Sequence, residues 1–219
     1  MTNTKRNAII SIVLIVCAIV YTFLVKTVDV KQIGPDNTSV GFATVNEAVA
    51  SKLPFNETLY KVTKYLGYVS LAAVGAYGLV GLVQLIKRKS LFKVDREIIA
   101  LGIFFVIVLA LYVAFEIVIV NYRPVILDRE VGVEASFPSS HTVLAVCVCT
   151  SIIMVNKKLF DKVKGIKLVN AIALLVLFGT AIGRTLSGVH WISDIVGGII
   201  ISAALLMTFY TVISVKKEE

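Results

Sequence analysis

The run IIALGIFFVIVLALYVAFEIVIV, Ile98–Val120, is apolar almost throughout and carries a single carboxylate, Glu116. At a rise of 1.5 Å per residue, a helix of this length spans the roughly 30 Å hydrocarbon core of a bilayer. Five more runs have the same character: Ala8–Val25, Leu66–Ile86, His141–Val155, Leu168–Leu186 and Ile192–Val215. The composition agrees. The 219 residues are 58% hydrophobic with a mean hydropathy of +0.89, whereas a soluble domain averages about 45–50% apolar. The expected fold class is all-α: a polytopic membrane protein of six transmembrane helices forming one domain, residues 1–219. The first run follows Lys5 and Arg6, as a signal peptide does. It is too long for one and no small-x-small cleavage site follows, so it reads as a span. The fourth run is short and uses the Ser139-Ser140-His141 turn as its mouth.

The loops between the runs alternate in charge. Lys5/Arg6, Lys87-Arg88-Lys89 with Lys93 and Arg96, Lys157-Lys158 with Lys162, Lys164 and Lys167, and Lys216-Lys217 hold 14 of the 22 basic residues. By the positive-inside rule these loops and both termini face the cytoplasm. The net charge of +8 therefore reads as topology charge, and no nucleic-acid partner is expected. The opposite side receives residues 26–65, 121–140 and 184–191. The first of these has turn signals at Gly34-Pro35-Asp36-Asn37 and a modestly amphipathic stretch, Val45–Leu53, expected to lie on the membrane surface. Cys17, Cys147 and Cys149 sit in apolar runs and read as small hydrophobes. No Cys/His spacing suits a metal, so neither metal nor cofactor is expected.

Polar residues collect on the outer side in three places: Asn121-Tyr122-Arg123-Pro124, Ser139-Ser140-His141, and the stretch GRTLSGVHWISD with Arg184, His190 and Asp194. Ionisable groups at span ends are costly and point to function. His190 and Asp194 are four apart and share a face on a helix. A carboxylate beside an imidazole fixes its tautomer and raises its basicity. Arg123 and Arg184 offer forked donors suited to phosphate oxygens. The Ser139-Ser140 turn opens a helix whose first N–H groups attract an anion, and His141 stands ready to protonate a leaving oxygen. These types describe a phosphoryl-transfer site that needs no metal.

The three places resemble the type 2 phosphatidic acid phosphatase family of integral-membrane lipid phosphatases. Its pattern is Lys-x6-Arg-Pro, Pro-Ser-Gly-His and Ser-Arg-x5-His-x3-Asp. Here the corresponding residues are Glu116-x6-Arg123-Pro124, Pro138-Ser139-Ser140-His141 and Gly183-Arg184-x5-His190-x3-Asp194. The motif-bearing part is 116–194. The resemblance implies His190 as a nucleophile that becomes phosphohistidine, Asp194 as its orienting group and His141 as general acid. It implies Arg123, Arg184 and Ser139 as phosphate ligands, with Ser140 contributing its backbone N–H. The implied substrate is a membrane lipid phosphate: an isoprenyl pyrophosphate, phosphatidylglycerol phosphate, phosphatidic acid or a phosphorylated glycolipid.

Three positions depart from the pattern. Ser140 replaces glycine, Gly183 replaces serine, and Glu116 replaces a lysine that the family uses on phosphate. Glu116 is expected to be ionised and to pair with Arg123, about two helical turns on, with Arg184 as the fallback partner. Lys64 and Arg129 stand as possible sources of the missing cation. The glutamate has two open readings, a structural ion pair or a direct substrate role. Three functions stay open with it: a lipid phosphatase, a lipid phosphotransferase on the same scaffold, and a non-catalytic lipid-phosphate binder or transporter. The intact set of His141, His190 and Asp194 speaks for the enzymes.

Overall fold

Each apolar run forms a helix, and the polar residues at its ends decide where it stops. The computed structural model describes residues 3–215. Its helices are α1 (Asn3–Thr27), α2 (Ala43–Ala50), α3 (Glu57–Arg88), α4 (Arg96–Ile117), α5 (Ser140–Leu159), α6 (Ile166–Leu186) and α7 (Ile192–Ser214). A short hairpin pairs β1 (Lys31–Gln32) with β2 (Ser39–Val40), antiparallel, with Lys31 opposite Val40. All the helices except α2 are long and apolar enough to cross a membrane, six candidate spans in the described residues.

Two boundaries differ from those read off hydropathy. Helix α3 starts at Glu57 rather than Leu66. The Asn56 side chain accepts from the Leu59 N–H at 3.0 Å, and Glu57 pairs with Lys61 at 2.7 Å. An N-cap and an i,i+4 ion pair extend the helix through polar residues that hydropathy does not register. Helix α4 ends at Ile117 instead of Val120. Val120 leaves the helix to pack on the cluster of Val25, Phe137 and Ile201.

Helix α5 is the central element. It packs against α3, α4, α6 and α7, which explains why its apolar run is short on hydropathy yet deeply buried. Leu101, Phe104 and Val108 of α4, Cys147, Val148, Ile152 and Val155 of α5, and Leu206, Phe209 and Ile213 of α7 form one core. Cys147 faces Ser202 on α7, whereas Cys149 faces Ser70 on α3. All three cysteines are free.

At one end of the bundle the basic residues close helices. Arg96 donates to the carbonyls of Val215 and Val212, each at 2.8 Å. Lys158 pairs with Glu97 at 2.7 Å and also donates to the Ile213 carbonyl. Both cations thus satisfy the orphan carbonyls at the C-terminus of α7 and complement its dipole. Lys216 and Lys217 lie outside the described residues.

At the other end, residues 28–56 fold over α7. The expected amphipathic stretch becomes α2, but its inward face is Ala43 and Asn46, while Val45 is exposed. It is a polar anchor that holds this segment. Gly41 sits so close to α1 that an added Cβ would lie 1.5 Å from the Val25 carbonyl oxygen. Gly41→Ala must therefore push the hairpin off α1, at a cost of about 1–3 kcal/mol. Its thermal midpoint in detergent is expected to fall clearly below that of the parent. Gly75→Ala, at a position with nothing within 4 Å, is expected to leave it unchanged.

Candidate active site

The site is built where α3, α5, α6 and α7 meet the loop after α4. In the first turn of α7, Asp194 folds back so that its Oδ2 accepts the Trp191 N–H at 3.0 Å. A carboxylate is stabilised there by the helix dipole and by the free N–H groups of the turn. The same oxygen lies 3.9 Å from His190 Nδ1. His190 precedes the helix, so the pairing does not come from a shared helix face, as the i,i+4 spacing suggested. It comes from Asp194 turning back over the start of α7.

The other carboxylate oxygen accepts from Asn121 Nδ2 at 3.2 Å. Asn121 in turn accepts the Gly41 N–H at 3.0 Å. Asn46 accepts the Ser193 N–H at 3.1 Å and donates to Ser193 Oγ at 2.9 Å. Asn46, Asn121 and Asp194 are all 0% exposed. The sequence reading missed Asn46 and gave Asn121 no role. Asn121 had a signal, its place two residues before Arg123. Asn46 had none, because its partner is 147 positions away.

The arginines arrive from separate directions. Arg123 lies on a short antiparallel bridge, Tyr122 opposite Ala135, and its N–H donates to the Glu134 carbonyl at 3.0 Å. Its Nε is 3.4 Å from Glu134 Oε2, an ion pair without hydrogen-bond alignment. Arg123 therefore faces Glu134. Glu116 does not pair with either arginine among the described ion pairs. The expected pairing fails because α4 ends at Ile117, so Glu116 stands in its last turn and Arg123 is not on that helix. Glu116 instead lies beside the hydroxyl of Tyr112, one turn back.

Arg184 stands in the last turn of α6 and is 0% exposed. Its Nε, Nη1 and Nη2 have no hydrogen-bond partner. The guanidinium sits 5.0 Å over the Tyr60 ring of α3, a cation–π contact. Gly183 makes this approach possible, since a Cβ there would lie 2.4 Å from Thr63 Cγ2. The departure from serine at 183 is thus a packing requirement.

The Pro138-Ser139-Ser140-His141 turn rests on α7. Phe137 fills the space above Gly197, where a Cβ would lie 2.3 Å from the ring, and Ser139 N–H donates to the Asp194 carbonyl at 3.1 Å. Ser139 is fully buried, and its hydroxyl accepts from Thr142 at 3.0 Å. It faces α7, whereas Ser140 and His141 line the cavity described next. His190 is buried, and neither ring nitrogen completes a hydrogen bond. Burial first, and then the charges of Arg123 and Arg184, hold its imidazole well below the ordinary value. It is neutral at neutral pH.

These groups stand at the end of a cavity of about 1050 Å³ between α3 and α4. Lys64, Glu116, Arg123, Ser140, His141 and His190 form its polar end. Its walls are apolar, and it continues to Leu85, Leu91 and Val94 at the far end of the bundle. From Lys64 to Leu85 along α3 is about 32 Å at 1.5 Å per residue, the depth of a bilayer core. Arg184 and Asp194 lie one layer behind the cavity wall, within electrostatic reach of Arg123. No group of three or more His, Cys, Asp or Glu side chains that could hold a metal occurs among the described residues.

Comparison with known proteins follows the same lines. Residues 121–218 match the PAP2 superfamily. The chain is similar in structure to a transmembrane PAP2-type phosphatidylglycerolphosphate phosphatase from Bacillus subtilis, with a TM-score of 0.61 and 19% identity over 95% of this chain and 98% of that one. At that identity the likeness speaks for the fold alone. None of the curated proteins compared with the chain matches it. The matched segment carries Arg123, the Pro-Ser-Ser-His turn, Arg184, His190 and Asp194, so the part of the chain that holds these groups is similar to the PAP2 superfamily, and its six spans are arranged as in the solved structure.

Proposed function

We propose that the protein hydrolyses a phosphate monoester or pyrophosphate of a membrane lipid through a phosphohistidine on His190. The observation that carries this reading is Arg184. A guanidinium that is 0% exposed with three unpartnered nitrogens is costly unless a nearby anion balances its charge. A phosphoryl group beside the neutral His190 is such an anion. The long apolar cavity opening from the same place suits a lipid tail. Phosphatidylglycerol phosphate, phosphatidic acid and isoprenyl pyrophosphates all meet this description.

In the proposed reaction His190 Nε2 attacks phosphorus, and the bond to the leaving oxygen breaks. His141 supplies the proton to that oxygen. Water then attacks the phosphohistidine, His141 takes the proton from it, and inorganic phosphate leaves. Asp194 balances the charge that develops on the His190 ring, whose Nδ1 faces it. Arg123 and Arg184 stabilise the charge on the transferring group, and the Ser140 N–H at the start of α5 adds a backbone donor. Ser139 is assigned a supporting role, holding the turn on α7.

His190→Ala is expected to abolish phosphate release at an unchanged thermal midpoint, and Asp194→Asn to impair it. Activity is expected to persist in EDTA and to be blocked by orthovanadate. Phosphate release by His190→Ala, or loss in chelator restored by Mg²⁺, would overturn the mechanism.

Asn121→Ala strips one hydrogen bond from the Asp194 carboxylate and leaves the Gly41 N–H unpartnered, a loss of about 1–3 kcal/mol. Because Asn121 does not line the cavity, kcat is expected to fall with KM nearly unchanged. A rise in KM alone would contradict this positioning role.

We also place the site on the extracytoplasmic face, from the excess of basic residues in the other loops. Arg129→Cys, at an exposed loop position, is expected to react with a membrane-impermeant thiol reagent in intact cells. Reaction only after permeabilisation would reverse the orientation.

A further inference from the structure

The polar end of the cavity has a charge problem. Arg123 already faces Glu134 at 3.4 Å, and Glu116 stands in the same cavity wall. Two carboxylates beside one cavity-lining arginine would repel a phosphate dianion. Arg184 helps only from one layer behind.

Helix α3 supplies the balance. Tyr60, Lys64 and Gly67 are spaced i, i+4, i+7 and share one helix face. Tyr60 lies under the Arg184 guanidinium. Gly67 touches His141, since a Cβ there would be 2.8 Å from His141 Cδ2. Lys64 is held between these two contacts and lines the cavity together with Arg123, His141 and His190. It takes part in none of the ion pairs among the described residues, whereas its neighbour Lys61 is paired with Glu57 at 2.7 Å. Arg129, the other candidate, is exposed on its loop and does not line the cavity.

We infer that Lys64 is a phosphate-binding residue, the cation that α3 contributes in place of the one that Glu116 removes from α4. Its flexible stem and compact ammonium suit a group that swings onto a phosphate from the cavity wall. The inference rests on the reading of this cavity as a lipid-phosphate site, and the two are separated by measuring binding and turnover independently.

The test uses the full-length protein in detergent. Binding is read from the rise of the thermal midpoint with orthovanadate or inorganic phosphate, and turnover from phosphate release on lipid phosphates. Lys64→Ala is expected to weaken orthovanadate binding by about tenfold and to raise KM similarly. Lys64→Arg is expected to keep most of the affinity, and Lys61→Ala all of it. Adding Glu116→Lys to Lys64→Ala is expected to recover binding, because the cation returns from the opposite wall. Unchanged orthovanadate affinity in Lys64→Ala would overturn the assignment. So would a loss that neither Lys64→Arg nor the added Glu116→Lys recovers, accompanied by a lower midpoint without ligand, which is the mark of a structural role. A parent that binds orthovanadate through Lys64 but turns over no lipid phosphate would sustain Lys64 and overturn the hydrolase. A parent without orthovanadate binding would overturn both.

Discussion

The first turn of α7 is the knot on which the site end of the molecule depends. Asp194 accepts from Trp191 and Asn121 through its side chain and from Ser139 through its carbonyl, and Ser193 beside it is held by Asn46. The hairpin segment, the loop after α4, the turn before α5 and α7 itself are thereby fixed to two consecutive residues. Buried polar groups of this kind are stabilising only when every member is satisfied. The burial that makes the network rigid also makes each of its bonds obligatory.

Against this satisfied network stands an unsatisfied set. Arg184 and both nitrogens of His190 are buried without hydrogen-bond partners. Well-bonded neighbours cover these groups and fix their positions. Gly183 and Thr63 bring α6 against α3, and Tyr60 supports the guanidinium from below. Under the proposed function, preorganisation of this kind lowers the reorganisation required when a phosphate arrives.

The sequence made the spans, the three motifs and the polar residues that the fold gathers at one end of the bundle legible, because hydropathy and the spacing of rare polar residues are local signals. It concealed whatever depended on tertiary partners. The end of α4 at Ile117 is set by Val120 packing on Phe137, and that early end took Arg123 away from Glu116 and gave it to Glu134. The early start of α3 is set by an asparagine cap, so the face bearing Tyr60 and Lys64 did not read as part of a helix that lines a cavity. Glycine at 183 looked like a lost hydroxyl, while its meaning is a contact with Thr63 that lies on another helix. Asn46 carried no pattern at all, yet it holds α2 on α7.

The cavity between α3 and α4 also divides the chain in sequence. The segment similar to the superfamily, 121–218, contains His141, His190, Arg123, Arg184 and Asp194, while α3 and α4, which supply most of the apolar wall, precede it; Val143, Leu144 and Val148 of α5 complete that wall. Substitutions along α3 and α4 can therefore reshape the cavity without touching His141, Arg184, His190 or Asp194. At the polar end the two parts of the chain meet as charges. There Lys64 of α3 and Glu116 of α4 stand in one cavity, and with Lys64 as the proposed phosphate cation, positions 64 and 116 are expected to drift as a pair.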